Sequence, residues 1–444
     1  MRISAKKTCR SFVAISGLSA VALSSQASSS TASITNDARQ FASDKPVPLQ
    51  PIFQALYIEG EHNSVLNLDY LGLAAMESGD YATAEKAFDA AIERIEAIYA
   101  DNPNAQKAKS VFAAEKVKDF KGEPYERAMT YYYRGVLYLR SGDYQNARAS
   151  FLSAERQTTL SEAESYDSTF GLMDYLAGWA SSCDGDATRA KDLADRAAKA
   201  QPQVFGSLQP SVNYIGLVDV GTGPVKVAVG QYKEKLTFKA GDNSVSADTI
   251  QATSATIGDP VVAGDINWQA TTRGGRPVDA ILNGKAQWKG GTSTAASVLG
   301  SVGYATALQG AITGNNNLSA FGGISMLAGF GTHLVAKAMT AEADTRTWSN
   351  LPGTIVLTQG QVQEGGTPSE SFVVSPAGAT LTTVLNAHAG QCSFSWGRTN
   401  PSLAVAIAHV SQPVAAEDQR EAVNAQFRSL LASTFAVTPH TASN

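Results

Sequence analysis

The chain has 444 residues, which is too long for one ordinary domain and predicts two or three. Hydrophobic residues make up 43% of it and charged residues 17%, so the sequence can build a buried core. The formal net charge is −5, from 35 basic and 40 acidic residues mixed along the chain. This mixture excludes a basic stripe of the kind that binds nucleic acid.

Residues 1–27 have the pattern of a secretory signal peptide. An uncharged stretch at 11–23 precedes small residues that end at Ala27, and it is too short to span a bilayer. No Cys directly follows this stretch, so lipid attachment is not indicated. We therefore expect an exported protein in which residues 28–48 form a polar linker. The basic residues of the signal are Arg2, Lys6, Lys7 and Arg10.

The cysteines offer one disulfide. Cleavage of the signal would remove Cys9 and leave Cys183 and Cys392, which is a candidate pair in an oxidising compartment. The alternative is two separate buried thiols, because sequence alone does not show whether the two Cα atoms lie within bonding reach.

Residues 49–204 have helical periodicity and contain three segments that superimpose. Each segment has small residues where two helices would cross, and Ser-Gly-Asp-Tyr occurs as the turn at both 78–81 and 141–144. This is the tetratricopeptide repeat (TPR) pattern, although the segments are 63 and 43 residues apart instead of about 34. The positions that align are Leu71, Gly72, Gly79, Tyr81, Ala84, Phe88, Ala91; Arg134, Gly135, Tyr138, Gly142, Tyr144, Ala147, Phe151, Ala154; and Gly178, Gly185, Ala190, Ala194, Ala197.

TPR surfaces usually bind peptides or partner helices on their concave face. The aromatic and basic residues around the second segment are therefore candidates for partner binding. The same residues also fit a structural role, because aromatic side chains at helical spacing usually pack inward. The candidates are Tyr125, Arg127, Tyr131, Arg134 and Tyr138.

The second half is rich in predicted strands. Alternating apolar runs between Gly, Pro and Asn turns predict an antiparallel β-rich domain in two parts, at 205–289 and 344–400. Residues 401–444 form a tail with one amphipathic helix near Ala416–Leu431. The predicted fold class is therefore α+β, with a TPR-like helical bundle followed by the β-rich domain.

A Gly/Ala-rich helical hairpin is predicted at 290–343, between the two β-rich parts. Its residues 290–336 include no Asp, Glu, Lys or Arg. Small residues at helical spacing favour close helix packing, either in a membrane or against the β-rich domain or a second copy of the chain. The many hydroxyl and amide side chains of the first arm favour packing against protein.

No motif selects a reaction. The Gly221-Thr-Gly223 turn lacks the third glycine of a dinucleotide loop, and no nucleophile turn or metal-ligand spacing occurs. We therefore predict a protein without catalytic activity, cofactor or metal.

Three motifs resemble a family of uncharacterised exported bacterial TPR-containing envelope proteins. They are Lys121-Gly-Glu-Pro-Tyr-Glu-Arg127, Gly221-Thr-Gly-Pro-Val-Lys226 and Asp344-Thr-Arg-Thr-Trp-Ser-Asn-Leu-Pro352. The resemblance implies a location in the envelope of a Gram-negative bacterium, in the periplasm or at the outer membrane. It supplies no catalytic residues to carry over to this chain. Members are often lipoproteins, whereas this chain lacks the cysteine for a lipid anchor.

The motif residues also have a physical interpretation. Gly122, Glu123 and Pro124 fit a loop that begins a helix. Asp344, Arg346 and Trp348 fit a buried ion pair covered by an indole, with a ligand-binding cluster as the alternative.

The expected function is that of an exported, non-catalytic envelope scaffold or adaptor that binds other envelope proteins through a TPR-like groove. The alternative is a membrane-associated or homo-oligomeric assembly component that uses the Gly-rich hairpin. An unrecognised enzyme is a third hypothesis.

Overall fold

The computed structural model is a mixed α+β protein, with helices in the first half and sheets in the second. The predicted signal peptide and residues 290–342 of the predicted Gly-rich hairpin lie outside the described residues. The structure describes residues 33–100, 119–120, 122–159, 170–231, 233, 235–241, 250–252, 258–271, 343–361, 371–374, 379–382, 385–399, 406–408 and 421–436.

The helices of this part lie mostly before residue 206. They are α1 at 33–42, α2 Gln50–Glu59, α3 Ser64–Glu77, α4 Tyr81–Ala100, α5 Pro124–Ser141, α6 Tyr144–Thr159, α7 Gly171–Cys183, α8 Ala187–Ala200, α9 Pro202–Phe205, α10 Ile266–Thr271 and α11 Glu421–Thr434.

Three helix pairs, α3–α4, α5–α6 and α7–α8, repeat one turn geometry. The glycine of each turn has a left-handed backbone, with φ between 75° and 85°. The aspartate that follows it accepts a hydrogen bond from the backbone N–H three residues later, at 3.0 to 3.2 Å. Glycine therefore ends one helix and aspartate caps the next, as the sequence predicts. The glycines are Gly79, Gly142 and Gly185, and the aspartates are Asp80, Asp143 and Asp186.

A glycine lies where the two helices of a pair cross. A Cβ atom on Gly72 would come within 2.7 Å of the Phe88 ring, and one on Gly135 within 2.5 Å of the Phe151 ring. Both phenylalanines are completely buried. The aromatic ring thus occupies the volume that a side chain on the facing helix would need.

The beginning and the end of the described chain pack together. Residues 33–42 are helical, with Ala38 and Ala42 buried, so the polar linker predicted for 28–48 is wrong over this stretch. Lys45 Nζ donates a hydrogen bond to the carbonyl of Phe435 at 2.6 Å. The terminal helix α11 covers Glu421–Thr434, and residues 416–420 of the predicted helix lie outside the described residues.

The strands form three sheets. A five-stranded sheet has the order β5-β6-β1-β10-β9, and smaller sheets have the orders β2-β3 and β4-β7-β8. The strands are β1 Tyr214–Val220, β2 Val225–Val229, β3 Lys235–Lys239, β4 Ile250–Ala252, β5 Val261–Asp265, β6 Thr354–Gly360, β7 Ser371–Val374, β8 Ala379–Thr382, β9 Leu385–Ala389 and β10 Cys392–Arg398.

The five-stranded sheet differs from the predicted antiparallel arrangement in one central pair. Strands β1 and β10 run parallel, with Asp219 opposite Arg398. Parallel neighbours need a long connection, and almost the whole second half of the chain lies between these two strands. The alternating apolar run at 278–288, within the first predicted β-rich part, lies outside the described residues.

The sheet lies against α5 and α7, and the loop before β6 lies against α3, where Tyr70 is hydrogen-bonded to Thr347 and Ser349. Helices α3, α5 and α7 are buried along almost their whole length, whereas α8 has an exposed outer side. A disulfide joins Cys183, at the end of α7, to Cys392, at the start of β10, with 5.9 Å between the Cα atoms. The Tyr144 hydroxyl also donates to the carbonyl of Ala389 at 2.7 Å.

We expect Gly135→Ala to destabilise the protein. Alanine favours an exposed helix by about 1 kcal/mol over glycine, but its methyl group would overlap the Phe151 ring, and overpacking costs about 1–3 kcal/mol. Urea unfolding measures the sign of the change. The double variant with Phe151→Leu should recover part of the loss. An increase in stability on Gly135→Ala alone would contradict the tight crossing.

Candidate functional site at the junction of helices and sheet

Of the five residues predicted to bind partners, three are buried and two, Arg127 and Tyr138, are partly buried. Tyr125 is buried against Phe238, and the buried Tyr131 hydroxyl donates to Glu96. The guanidinium of Arg134 donates to both Asp89 carboxylate oxygens, at 2.7 and 3.1 Å, and lies 3.8 Å from the centre of the Tyr138 ring. Arg127 is part-buried and donates to Gln157 and to the carbonyl of Gly122. In the structure these five side chains contact other residues of the same chain, which fits the structural role, and partner binding through a groove stays a prediction.

The first family-like motif begins α5 with a capping box. Gly122 has a left-handed backbone, with φ 70°, Glu123 is the N-cap residue and Pro124 is the first helical residue. The Glu123 N–H donates to Glu126 Oε2 at 2.6 Å. This arrangement satisfies backbone donors that a helix start otherwise leaves unpaired. It also places the Glu126 carboxylate in the interior, where 1% of its side chain is exposed.

The buried Glu126 carboxylate joins all three family-like motifs. Lys226, from the second motif, donates from Nζ to Glu126 Oε2 at 2.6 Å. The N–H of Trp348, from the third motif, donates to Glu126 Oε1 at 2.9 Å. Lys226 Nζ also donates to the carbonyl of Arg346 at 2.7 Å and is 2% exposed. We call Glu126, Lys226, Arg346 and Trp348 the Glu126 junction.

The third motif contains the predicted Arg–Asp pair. Arg346 donates to Asp344 from Nε at 2.9 Å and from Nη2 at 2.7 Å, and it donates from Nη1 to Asn63 at 2.7 Å. The Trp348 indole does not serve as a cover for this pair. It is buried beside the Tyr133 ring, 5.8 Å between ring centres. Trp348 therefore anchors the sheet-side loop in the aromatic core of the helices.

A second buried network, which the sequence analysis missed, connects α5 to β1 and β10. Arg398 Nη1 donates to Asp219 Oδ2 at 3.0 Å and to the Tyr133 hydroxyl at 2.9 Å, and that hydroxyl donates to Asp219 Oδ2 at 2.7 Å. Burial raises the pKa of Asp219, against the opposing effects of Arg398 and the tyrosine hydroxyls. Burial likewise raises the pKa of Tyr133 well above its usual value.

Other ionisable groups of the interior are also bonded to the protein. Burial raises the pKa of Asp69 well above its usual range, although the Thr130 hydroxyl donates to its Oδ1 at 2.9 Å. Burial raises the pKa of Tyr70 to about 12, and the Tyr70 hydroxyl is hydrogen-bonded to Ser349 and to the carbonyl of Thr347. The Tyr70 hydrogen bonds hold the third motif against α3, and the Asp69–Thr130 hydrogen bond joins α3 to α5. The two groups whose pKa is raised therefore lie where these segments pack together.

Two open grooves flank α11. In one, Arg428 lies over the Tyr57 ring, and in the other, of about 780 Å³, Arg94 lies over the Phe427 ring and pairs with Glu61 at 3.2 Å.

Across the part of the chain that the structure describes, no cluster of three or more His, Cys, Asp or Glu side chains could hold a metal ion. In that same part, no helix has both the length and the apolar character needed to cross a bilayer.

We expect Lys226→Met to lower the free energy of unfolding by about 3–5 kcal/mol, because it leaves the Glu126 carboxylate buried without its cation. Equilibrium unfolding in urea gives the value. The double variant Glu126→Gln with Lys226→Met should lose less than the sum of the two single variants. Lys191→Met, which removes the exposed pair with Asp195, is the matched control and should change stability little. Equal effects of the two lysine variants would contradict the role of the junction.

Asp174 predicts a pH dependence. Its Oδ1 lies 3.0 Å from Arg196 Nη2, but its side chain is only 2% exposed, and burial raises its pKa from 3.8 to about 6. The folded state therefore favours the protonated form, and this contribution to stability is complete below pH about 4 and lost as the pH rises to about 6. Asp174→Asn should consequently be more stable than the parent at pH 7, by about 1–3 kcal/mol, and not at pH 4.

Urea unfolding at both pH values measures this effect. Asp192→Asn, at an exposed position on α8, is the control and should keep the pH dependence of the parent. If Asp174→Asn kept that dependence as well, burial of Asp174 would not be its source.

Comparison of the chain with models of protein families, with curated proteins and with solved structures finds no match. The resemblance of the three motifs to an exported TPR-containing family therefore stays a prediction. Independently of that resemblance, the three motifs meet at one buried carboxylate.

Proposed function

We propose that this protein is an exported, non-catalytic structural component of a bacterial cell envelope, and that it contacts its partners through its outward surfaces. The observation that carries the proposal is the burial of the inner helices, α5 and α7 beneath the protein's own sheet and α3 beneath the loop before β6. The proposal includes no cofactor and no reaction.

A TPR-like character of the helical array is part of the proposal. Its support is the repetition of one turn and of one Gly–Phe crossing in successive helix pairs. The third pair departs from this pattern, because Gly178 faces Ala190 and Leu193 instead of an aromatic ring. In an open TPR array the inner face binds an extended peptide. Here that face is occupied in cis, which favours the assembly component over the groove-binding adaptor.

An exported location is supported by the signal-like residues 1–27 and by the Cys183–Cys392 disulfide. Disulfides persist in oxidising compartments such as the periplasm and are rare in the cytosol. A partner in the envelope would therefore bind a chain whose helices and sheet are joined by the disulfide.

Site-specific photo-crosslinking in cells of a Gram-negative host tests the proposal. A photoreactive residue is placed at outward positions, such as Lys191, Val225 and Val423, or at the buried Tyr131 as the matched inward position. We expect the chain in the envelope fraction with its disulfide formed, and crosslinked products only from outward positions. A reduced chain in the cytoplasm would contradict the location. Products that require Tyr131 would restore the groove as the binding surface.

A further inference from the structure

The β2–β3 hairpin has two chemically different faces. Its strands pair antiparallel, and side chains of directly opposite residues lie on the same face. Three valines and the side chains opposite them form one face, which we call the outer face. The pairs of the outer face are Val225 with Lys239, Val227 with Thr237 and Val229 with Lys235.

The opposite face attaches the hairpin to the body of the protein. Lys226 belongs to the Glu126 junction, and Phe238, its partner across the hairpin, packs on the ring of Tyr125 at 5.8 Å between centres. Because these contacts fix the inner face, the outer face is turned away from the body. Val225 is 46% exposed and Val229 is 40% exposed, and Val227 lies between them on the same face of the strand, so the three valines form a contiguous apolar row.

The surface around these valines is cationic. Lys233, Lys235 and Lys239 are exposed, whereas the charge of Lys226 is paired with Glu126. Residues 225–239 contain one acidic residue, Glu234, and more lysines than that. The net charge of this segment is therefore positive, in a chain whose net charge is −5. Apolar side chains beside lysines match a phospholipid surface, where lysine stems lie along acyl chains and ammonium groups meet phosphates.

Two neighbouring features favour a membrane over an acidic protein as the partner. The N–H of Ala343 donates to the carbonyl of Lys233 at 2.9 Å, so the chain returns to this hairpin shortly after the uncharged residues 290–336. Trp268, on the helix α10 that packs beside β3, is 42% exposed. Tryptophan is enriched where protein meets the membrane–water interface.

We propose that the outer face of the β2–β3 hairpin docks on an anionic phospholipid surface, with Val225, Val227 and Val229 at the level of the headgroups and Lys233, Lys235 and Lys239 on the phosphates. This inference rests on the proposed envelope function and specifies the partner of one outward surface.

Vesicle co-sedimentation of the exported full chain, with its disulfide formed, tests the proposal. The probes are vesicles of phosphatidylcholine alone and of phosphatidylcholine mixed with phosphatidylglycerol. We expect binding to the mixed vesicles, weakened at least about tenfold by Lys235→Gln with Lys239→Gln, and weakened also by Val225→Ser with Val229→Ser. Lys191→Gln with Lys199→Gln, on the exposed side of α8, removes the same charge and should leave the affinity unchanged.

Each other outcome overturns the docking proposal. Equal loss in both lysine pairs would indicate non-specific attraction by net charge. Unchanged binding in all variants would assign membrane affinity to another part of the chain. No vesicle binding, together with crosslinks from Val225 to an acidic envelope protein, would identify a protein partner and leave the proposed envelope function intact.

Discussion

A carboxylate without water around it must be held by donors, and Glu126 is held by donors from three distant parts of the chain. The backbone of the α5 start, the ammonium group of Lys226 and the N–H of Trp348 all converge on its two oxygens. Removing the Lys226 ammonium group would leave the buried charge uncompensated, and removing either N–H would leave a carboxylate oxygen short of a donor. The position of each segment therefore depends on the other two. The orientation of the sheet against the helices, and with it the outward presentation of the β2–β3 hairpin, depends on this junction.

The sheet changes what a helical repeat array can do. A repeat array with an open inner face has a surface ready for a peptide. Here strands of the same chain cover α5 and α7, and the loop before β6 covers α3. The Asp219–Arg398–Tyr133 network and the aromatic core around Trp348 continue the contact from the Glu126 junction into the sheet. The helices therefore support the sheet, and under the proposed function partners would bind to the outward surfaces that the helices orient.

Local features of the fold could be predicted from the sequence, because their causes are local. The turns at Gly79 and Gly142 follow from a left-handed glycine next to a capping aspartate, and these residues are adjacent in the chain. Helical periodicity also predicts that the tyrosines of α5 share a face. It does not show what covers that face, so the sequence leaves both a groove and a structural role open for Tyr125 and Tyr131. The Asp219–Arg398 pair arises from a parallel pairing of strands far apart in sequence, for which no local pattern exists.

The disulfide has a consequence for the order of events during export. Cys183 and Cys392 are separated by 209 residues, and the helical array is complete by residue 205. In a chain that is exported N-terminus first, Cys183 thus waits as a thiol while the strands that will cover the array are still inside the cell. Cys9, in the predicted signal, is a competing thiol until the signal is removed. Under the proposed export, the bridge would form only in a chain that has been translocated past Cys392, after strand β10 has reached the oxidising compartment.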